Sequence, residues 1–505
     1  MLAAILSLTV LPVLYLLLRA VLRYTQDKDE PPVIAAGIPF ITPYVGLITK
    51  GMSYFVFLRA RHDLPVYTLR FPGVRAYVIN TPSLALAAHR PSPTISWGPI
   101  LADVAANMMG LGRPTVEVLR KDLGFDGNFM KGFHQAMHSA LSPKMPELDR
   151  LGEAFSLAYS ASLDGDKLRT PVGTTVRMFE FLKRHSTNGM TEAVFGPHNP
   201  YHDPKMEGYY NAMELALFPI LLGLGPLTAK EGIQGRETLV RAYIKYFGIG
   251  GHKDPGASEL LRSRYNFFLS YGIPEHEIAR IEVILTATLL GNSRPTTFWL
   301  VWHLVSDQSL LELCREELFA AMTNNDPDDA DLLVLNAATI KTRCPTLFST
   351  LLEVFRFHGN NMSVRKVVRN HTLSGQYKLK AGGYLVTPAS VQHSGLADWG
   401  PRSDVFDAKR FITDGKTKYN NSAFKPWGHG GNICPGRHFA TTAVLAKAAM
   451  VILRFDITPV AATPAGHKSG SRGWVLPQSH QSPVIGSTVP NDDLLMLWSR
   501  SVNEL

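Results

Sequence analysis

The sequence predicts a mainly α fold with a small β region, and three observations carry that prediction. The stretch "PEHEIARIEVILTATLLGNSRPTTFWLVWHLVSD", residues 274–307, is apolar on nearly every face from Ile281 to Leu304, which only a helix running through an interior requires. At about 1.5 Å per residue it spans about 50 Å. A turn-punctuated region over residues 55–80, with "PVYTLRF" and "VRAYVIN", reads as short strands. The whole chain, 505 residues at 45% hydrophobic and 18% charged, holds enough apolar material for one large core.

Taken in order, the chain opens with "MLAAILSLTVLPVLYLLL", 18 residues without a charge before Arg19. That length just crosses a bilayer. A signal peptide would show a positive start, a shorter apolar run and a small-residue cleavage site, so residues 1–24 are read as a retained single-pass anchor. Positive charge lies only downstream, which places the remaining chain in the cytosol. Residues 25–50 read as a Pro/Gly-rich linker and 51–505 as the main folded domain. From about residue 95 the pattern is helical, and Trp97, Ile100, Met108 and Met109 in the 94–112 stretch are candidates for lining a pocket. Helices are expected at 309–322 and 345–357, and "YKLKAGGYLVTPA" reads as a hairpin with a Gly-Gly turn. "GIGG" lacks the strand-helix context of a phosphate loop and reads as a turn.

Net charge of +9 is spread along the chain without zinc-finger spacing or an RNA-binding signature, so nucleic acid is not expected as a partner. An anionic membrane surface or an acidic protein suits that charge better. Cys314, Cys344 and Cys434 form no closely spaced pair, which argues against a disulfide framework and for a reducing compartment.

One of those cysteines sits in "FKPWGHGGNICPGRHFA", 424–440, a loop of glycines and prolines that runs into helix-forming residues. Cys434 therefore lies at a helix start, where backbone N–H groups and the dipole favour thiolate. Gly428, Gly430 and Gly431 let the backbone approach a flat ligand. Such a thiolate is a metal ligand or a nucleophile, and His429 and His438 are the histidines a nucleophile would use. In "LLEVFRFHG", Glu353 and Arg356 stand three apart among apolar residues, and "DVFDAKRF" places Arg410 to join them. That set reads as a structural ion pair.

Together these motifs resemble the cytochrome P-450 superfamily, the haem-thiolate oxygenases, over nearly the whole chain. The cysteine loop is similar to F-x-x-G-x-R-x-C-x-G, with Trp427 at the aromatic position and Gly430 and Gly436 at the two glycines. Glu353 and Arg356 match E-x-x-R, and residues 406–411 match F-x-P-x-R-F with Ala408 in place of proline. "GNSRPTTFW" with "CPGR" resembles the branch of sterol 7-alpha-hydroxylases, sterol 12-alpha-hydroxylase and prostacyclin synthase, and "PWGHGGNICPGRHFA" resembles fungal biosynthetic members.

The resemblance implies haem b as cofactor, held between the long helix and the Cys434 helix, with Cys434 as the axial ligand. It also implies departures from the family pattern. Asn432 stands where arginine is usual, and His134 and His138 stand at the Trp and Arg positions of a W-x-x-x-R helix. Arg365 becomes the main partner for a haem propionate, with His138 and Arg437 as further candidates. In the long helix Asn292, Arg294 and Pro295 occupy the positions of glycine, the acid and the oxygen-activating threonine. Pro295 should kink or open the helix, leaving Asn292, Thr296 and Thr297 to orient a water, or the two threonines simply to bond their own helix.

The activity implied is hydroxylation of a lipophilic sterol, terpenoid or polyketide-derived compound at the endoplasmic reticulum membrane. It would use O2 and electrons from NADPH-cytochrome P-450 reductase. A haem-thiolate isomerase or dehydratase needing neither, and a membrane-tethered haem sensor, are the other classes the motifs admit.

Overall fold

The computed structural model describes residues 2–35, 37–122, 128–165, 174–324, 333–334, 337–413, 416–417, 422–430, 433–460, 474–481, 485–491 and 493–500. Among its helices are α1 (Leu2–Thr25), α2 (Phe129–Leu141), α3 (Met178–Phe195), α4 (Lys205–Leu221), α5 (Glu275–Ser306), α6 (Gln308–Ala321), α7 (Pro345–Phe357) and α8 (Arg437–Arg454). Helix α5 is the expected interior helix. Every residue from 293 to 305 is buried, and its polar Glu282 is met by the Arg264 guanidinium. It continues through Pro295 as one α-helix, so the expected opening at that proline does not occur.

The main sheet has five strands, β1 (Val66–Phe71), β2 (Val74–Ile79), β3 (Ile95–Ser96), β4 (Met362–Val367) and β5 (Tyr384–Pro388), in the order β1-β2-β5-β4-β3. Period-2 alternation sends its side chains to two cores. Val66, Tyr77, Ile79 and Leu385 pack on one face; Tyr67, Leu69, Val78 and Val386 pack on the other. The pairing of β5 against β4 sets Arg365 opposite Leu385, which fixes that cation on the sheet face packed by Val66, Tyr77 and Ile79.

Four expectations need correction. The segment Ser53–Arg61 is a helix, because Tyr54, Phe55 and Leu58 bury at helical spacing against the sheet. "YKLKAGGYLVTPA" does turn at Gly382, φ +85°, but its arms pair elsewhere. Tyr377–Leu379 joins His371–Leu373, while β5 joins β2 and β4, so burial of a central strand overrides the local hairpin. Residues 25–50 are docked, not a free linker: Asp27 pairs with Lys378 at 3.0 Å and Glu30 with Lys380 at 2.8 Å. Lastly, α1 carries Pro12, and among the described residues no helix is long and apolar enough to cross a membrane. The single-pass anchor over 1–24 is therefore not supported.

Candidate active site

A cavity of about 410 Å³ lies between α5 and the start of α8. Asn292, Ser293 and Thr296 close it from α5; Cys434, Pro435, Ala440 and Val444 close it from the cysteine loop and α8. Local sequence builds the loop. Gly430 has φ +59°, and a Cβ there would stand 2.6 Å from the His89 carbonyl oxygen, so no other residue fits. Gly428 also turns at positive φ, +89°. The Cys434 N–H donates to the Trp427 carbonyl at 2.9 Å, and Trp427 packs edge-on against Phe355 with ring centres 4.9 Å apart.

Burial pushes the Cys434 thiol up, while the N–H groups of Gly436 and Arg437 and the Arg437 charge pull it down. Burial is the larger effect. The helix-start N–H groups do favour thiolate, as the sequence leads one to expect, but burial outweighs them, and a cation at the sulfur would tip the balance. Arg437 is half-buried and turns its Nη1 back to the Cys434 carbonyl at 3.1 Å.

Arg365 supplies the second sign of a missing partner. It is 8% exposed, its Nε has no hydrogen-bond partner among the described residues, and burial lowers its pKa. Its charge helps depress the neighbouring His89 and His429, and His429 lines the cavity. A buried guanidinium that meets no carboxylate among the described residues, close to a cavity floored by a thiol, fits a flat metal cofactor with carboxylate arms. Haem b fits these residues on that ground. Asn432 and Gly431 lie outside the described residues.

His138 is exposed and does not line the cavity, so its expected contact with the cofactor is corrected. His134, one turn earlier on α2, does line it and is half-buried, with its pKa lowered by burial. A four-residue step is about 400°, so the two side chains lie on nearly the same face one turn apart, and position along α2, not face, puts His134 at the cavity and His138 in solvent.

On α5 the expected set divides. Asn292 and Thr296 line the cavity; Pro295 and Thr297 are buried beside it. Thr296 Oγ1 donates to the Asn292 carbonyl at 2.7 Å and Thr297 Oγ1 to the Ser293 carbonyl at 2.8 Å, the within-helix bonding that threonines favour. Asn292 Oδ1 accepts the Gly486 N–H at 2.6 Å and so ties a distant loop to the cavity wall. Arg294 points away: it donates to Thr187, Asn211 and Glu214 at 3.1, 3.0 and 2.9 Å, joining α5 to α3 and α4.

Glu353, Arg356 and Arg410 come together as read from the sequence. Arg356 Nε and Nη2 donate to the two Glu353 oxygens at 2.7 Å each, and Nη1 donates to the carbonyls of His393 and Ser403 at 2.9 and 2.7 Å. Arg410 Nε reaches the same carboxylate at 3.0 Å. The group is behind the site and none of the three lines the cavity. From the 94–112 stretch only Trp97 lines it, while Met108 and Met109 bury in the core.

Sequence reasoning missed the partners that only folding brings close. His89 stacks on His429 with centres 4.4 Å apart and its Nε2 bonds Ser363 Oγ at 2.7 Å. Met130 and Phe133 join the cavity from α2. The spacing of α2 could have indicated the last two, since they share a face with His134; nothing in the sequence marks the first pair.

The family model for cytochrome P450 matches residues 290–481. The cytochrome P450 monooxygenase nodJ of Hypoxylon pulicicidum is 31% identical over 449 residues, covering 87% of this chain and 85% of that protein. A cytochrome P450 monooxygenase of Gibberella zeae is 25% identical, covering 90% and 86%. The 7-alpha-hydroxycholest-4-en-3-one 12-alpha-hydroxylase of Homo sapiens is 22% identical, covering 91% and 92%. Among solved structures, retinoic acid-bound cyanobacterial CYP120A1 shares the fold, with a TM-score of 0.71 at 16% identity, covering 94% of this chain and 100% of that one.

Proposed function

The chain belongs to the cytochrome P450 family and is a monooxygenase, and from that premise we propose that it hydroxylates a lipophilic sterol, terpenoid or polyketide-derived substrate with haem b bound at Cys434. Haem ligated by thiolate supplies reductive activation of O2. The carrying observation is the pairing of the Cys434 thiol at the cavity floor with the partnerless Arg365 Nε just behind the wall, next in the chain to the lining Val364 and near enough to act on the lining His429. Trp427, Gly428, Gly430 and Gly436 shape the loop that presents the sulfur, Arg365 would take a carboxylate arm of the cofactor, and Arg437 steadies the Cys434 carbonyl. His134 replaces His138 as the polar contact from α2. Trp97, Met130, Phe133 and Phe355 give the cavity an apolar wall that would hold a lipophilic substrate and exclude water.

The Asn292 clamp on Gly486 fixes where that wall ends, which makes Asn292 a positioning residue for the substrate. Electrons would come from NADPH-cytochrome P-450 reductase on a basic face, in keeping with the net charge of +9. A place on the endoplasmic reticulum membrane, catalytic domain in the cytosol, is supported by exposed apolar side chains, among them Leu11 at 62%, Leu16 at 62% and Ile48 at 67%. The human 12-alpha-hydroxylase, named for its action on a sterol, supports the substrate class.

The test is spectral and stoichiometric. The reduced, CO-bound protein should show the red-shifted Soret band of thiolate ligation, and Cys434→Ala should lose it. Retention of the band in the variant would sink the assignment. With reductase present, a candidate substrate should be oxidised in step with NADPH and O2; product formed without either would move the chain to the isomerase class.

A further inference from the structure

A second polar approach to the cavity stands apart from the long-helix threonines. His303, near the end of α5, lines an open cleft of about 560 Å³ together with Ser306, Asp307, Arg402, Asp407 and Lys409. Its Nε2 lies 2.9 Å from His358 Nε2, and His358 Nδ1 lies 3.2 Å from Thr488 Oγ1. His303, His358 and Thr488 are 8%, 5% and 7% exposed. His358 adjoins Gly359 and Thr488 adjoins Ser487; both neighbours line the active cavity, and the two form a β-bridge with each other. A row of hydrogen bonds thus runs from an outer cleft to Thr488, whose chain neighbour Ser487 lines the cavity.

Resting on the monooxygenase reading, we propose that His303, His358 and Thr488 form a proton relay from this cleft to the active cavity. Monooxygenation takes two protons for each O2 reduced, and the usual supplier in the long helix is compromised. Pro295 has replaced one hydroxyl, Arg294 is committed to Glu214, and Thr296 and Thr297 donate to their own helix. The relay atoms are held in line. Trp299 stacks on His358 with centres 3.9 Å apart at 9°, and its Nε1 donates to the Thr488 carbonyl at 2.7 Å. Phe406 stacks on His303 at 3.5 Å and 6°.

Burial holds both imidazoles neutral, so the contact between them is an N–H donor against a ring-nitrogen acceptor. One proton enters at His303 Nδ1, which faces the cleft once Nε2 is committed. The His303 Nε2 proton passes to His358 Nε2, the His358 Nδ1 proton passes to Thr488 Oγ1, and the Thr488 hydroxyl proton passes to a water molecule in the cavity. Each relay nitrogen or oxygen that gains a proton belongs to a group that loses one, no electron moves, and no charge is left behind on the three residues. The rings end with their protons on the opposite nitrogens and must return to the starting tautomers before the next transfer.

The test has one arm without turnover and one without substrate. In the holoenzyme's diamagnetic ferrous CO form, labelled with 15N-histidine, one pair of neutral histidines should show a coupling across an N–H···N bond, and His303→Gln should abolish it. Absence of that coupling in the wild type would overturn the relay whatever the activity. In the second arm, reductase, NADPH and O2 are supplied alone, and peroxide is compared with water, which needs twice as many protons per O2. His303→Gln and Thr488→Val should keep the CO band while raising peroxide per NADPH about threefold or more. Thr488→Ser should restore the wild-type ratio, because it returns the hydroxyl. Unchanged peroxide in both folded variants, or failure of Thr488→Ser to recover what Thr488→Val loses, would overturn the proposal. A wild type that makes product without NADPH would instead fail the monooxygenase reading, leaving the relay to be decided by the N–H···N coupling.

Discussion

Arg356 and Arg365 are both buried cations, 3% and 8% exposed, and the fold treats them in opposite ways. Arg356 spends its guanidinium on Glu353 and on the carbonyls of His393 and Ser403. The Arg365 Nε finds no partner among the described residues and its charge is penalised by burial. The first group is complete without any ligand. The second is complete only when something anionic arrives, and so a buried charge marks scaffold or site according to whether the chain itself answers it.

The comparison breaks most visibly at the scaffold end. Arg356→Ala should cost about 3 kcal/mol, because Glu353 keeps only Arg410 as a cation and the buried His393 and Ser403 carbonyls lose their donor. Denaturant unfolding would measure it, and a stable, fully haem-loaded variant would show that the network is dispensable. Arg365→Leu should act in the other direction on the ligand-free chain, which loses a lone charge and keeps or gains stability. Its holo form should lose about 1.5–3 kcal/mol of cofactor affinity, the size of a charge-assisted hydrogen bond, read as faster transfer of haem to an acceptor protein. Equal effects of the substitution on ligand-free and loaded protein would erase the distinction.

A pH series sharpens it further. Burial pushes His89 down to about 4 and His429 down to about 3, well below an ordinary imidazole near pH 6.5. The unfolded chain therefore binds protons that the folded chain refuses. Stability from this pair is complete above about pH 6.5 and falls as pH drops toward 4, by at most about 1.4 kcal/mol per unit for each ring. Thermal midpoints of wild type and His89→Asn across that range should converge in slope at the alkaline side and diverge at the acid side.

The smallest effect concerns Lys447, fully buried on α8 with its Nζ 3.5 Å from the Ser293 carbonyl. Burial, with Arg294 adding to it, holds its pKa down to about 7. A lysine so placed is a cost to the fold below its ordinary pKa. Lys447→Met should raise stability by about 1 kcal/mol at neutral pH, and a loss on calorimetry would reveal a hidden partner or function.

What the sequence made legible were features with a local signature. The long helix shows as unbroken apolar periodicity, the Glu353 and Arg356 pair as an i,i+3 spacing, and the Cys434 loop as glycines before a helix. What it hid depends on tertiary pairing. The arms about Gly382 look like a hairpin because the turn is local, whereas the first arm pairs with His371–Leu373 just upstream and the second with strands distant in the chain. His303 and His358 are 55 residues apart, and no periodicity links them. His138 is favoured over His134 by family position alone, and the placement of α2 along its length, which brings His134 and not His138 to the cavity, reverses that choice.

The docked segment after α1 has a practical reading for anyone shortening the chain. Arg70 and Arg75 hold the Thr25 side chain and carbonyl at 3.0 Å each, and Glu30 takes the Tyr77 hydroxyl at 3.1 Å besides Lys380. A cut before Thr25 leaves this clasp closed. A cut after Glu30 leaves Lys380 and Arg75 without their shared carboxylate and unfastens the edge of the sheet that carries Arg365. The N-terminal limit of the clasped body is therefore set by Thr25, Asp27 and Glu30 together, not by where the apolar run stops.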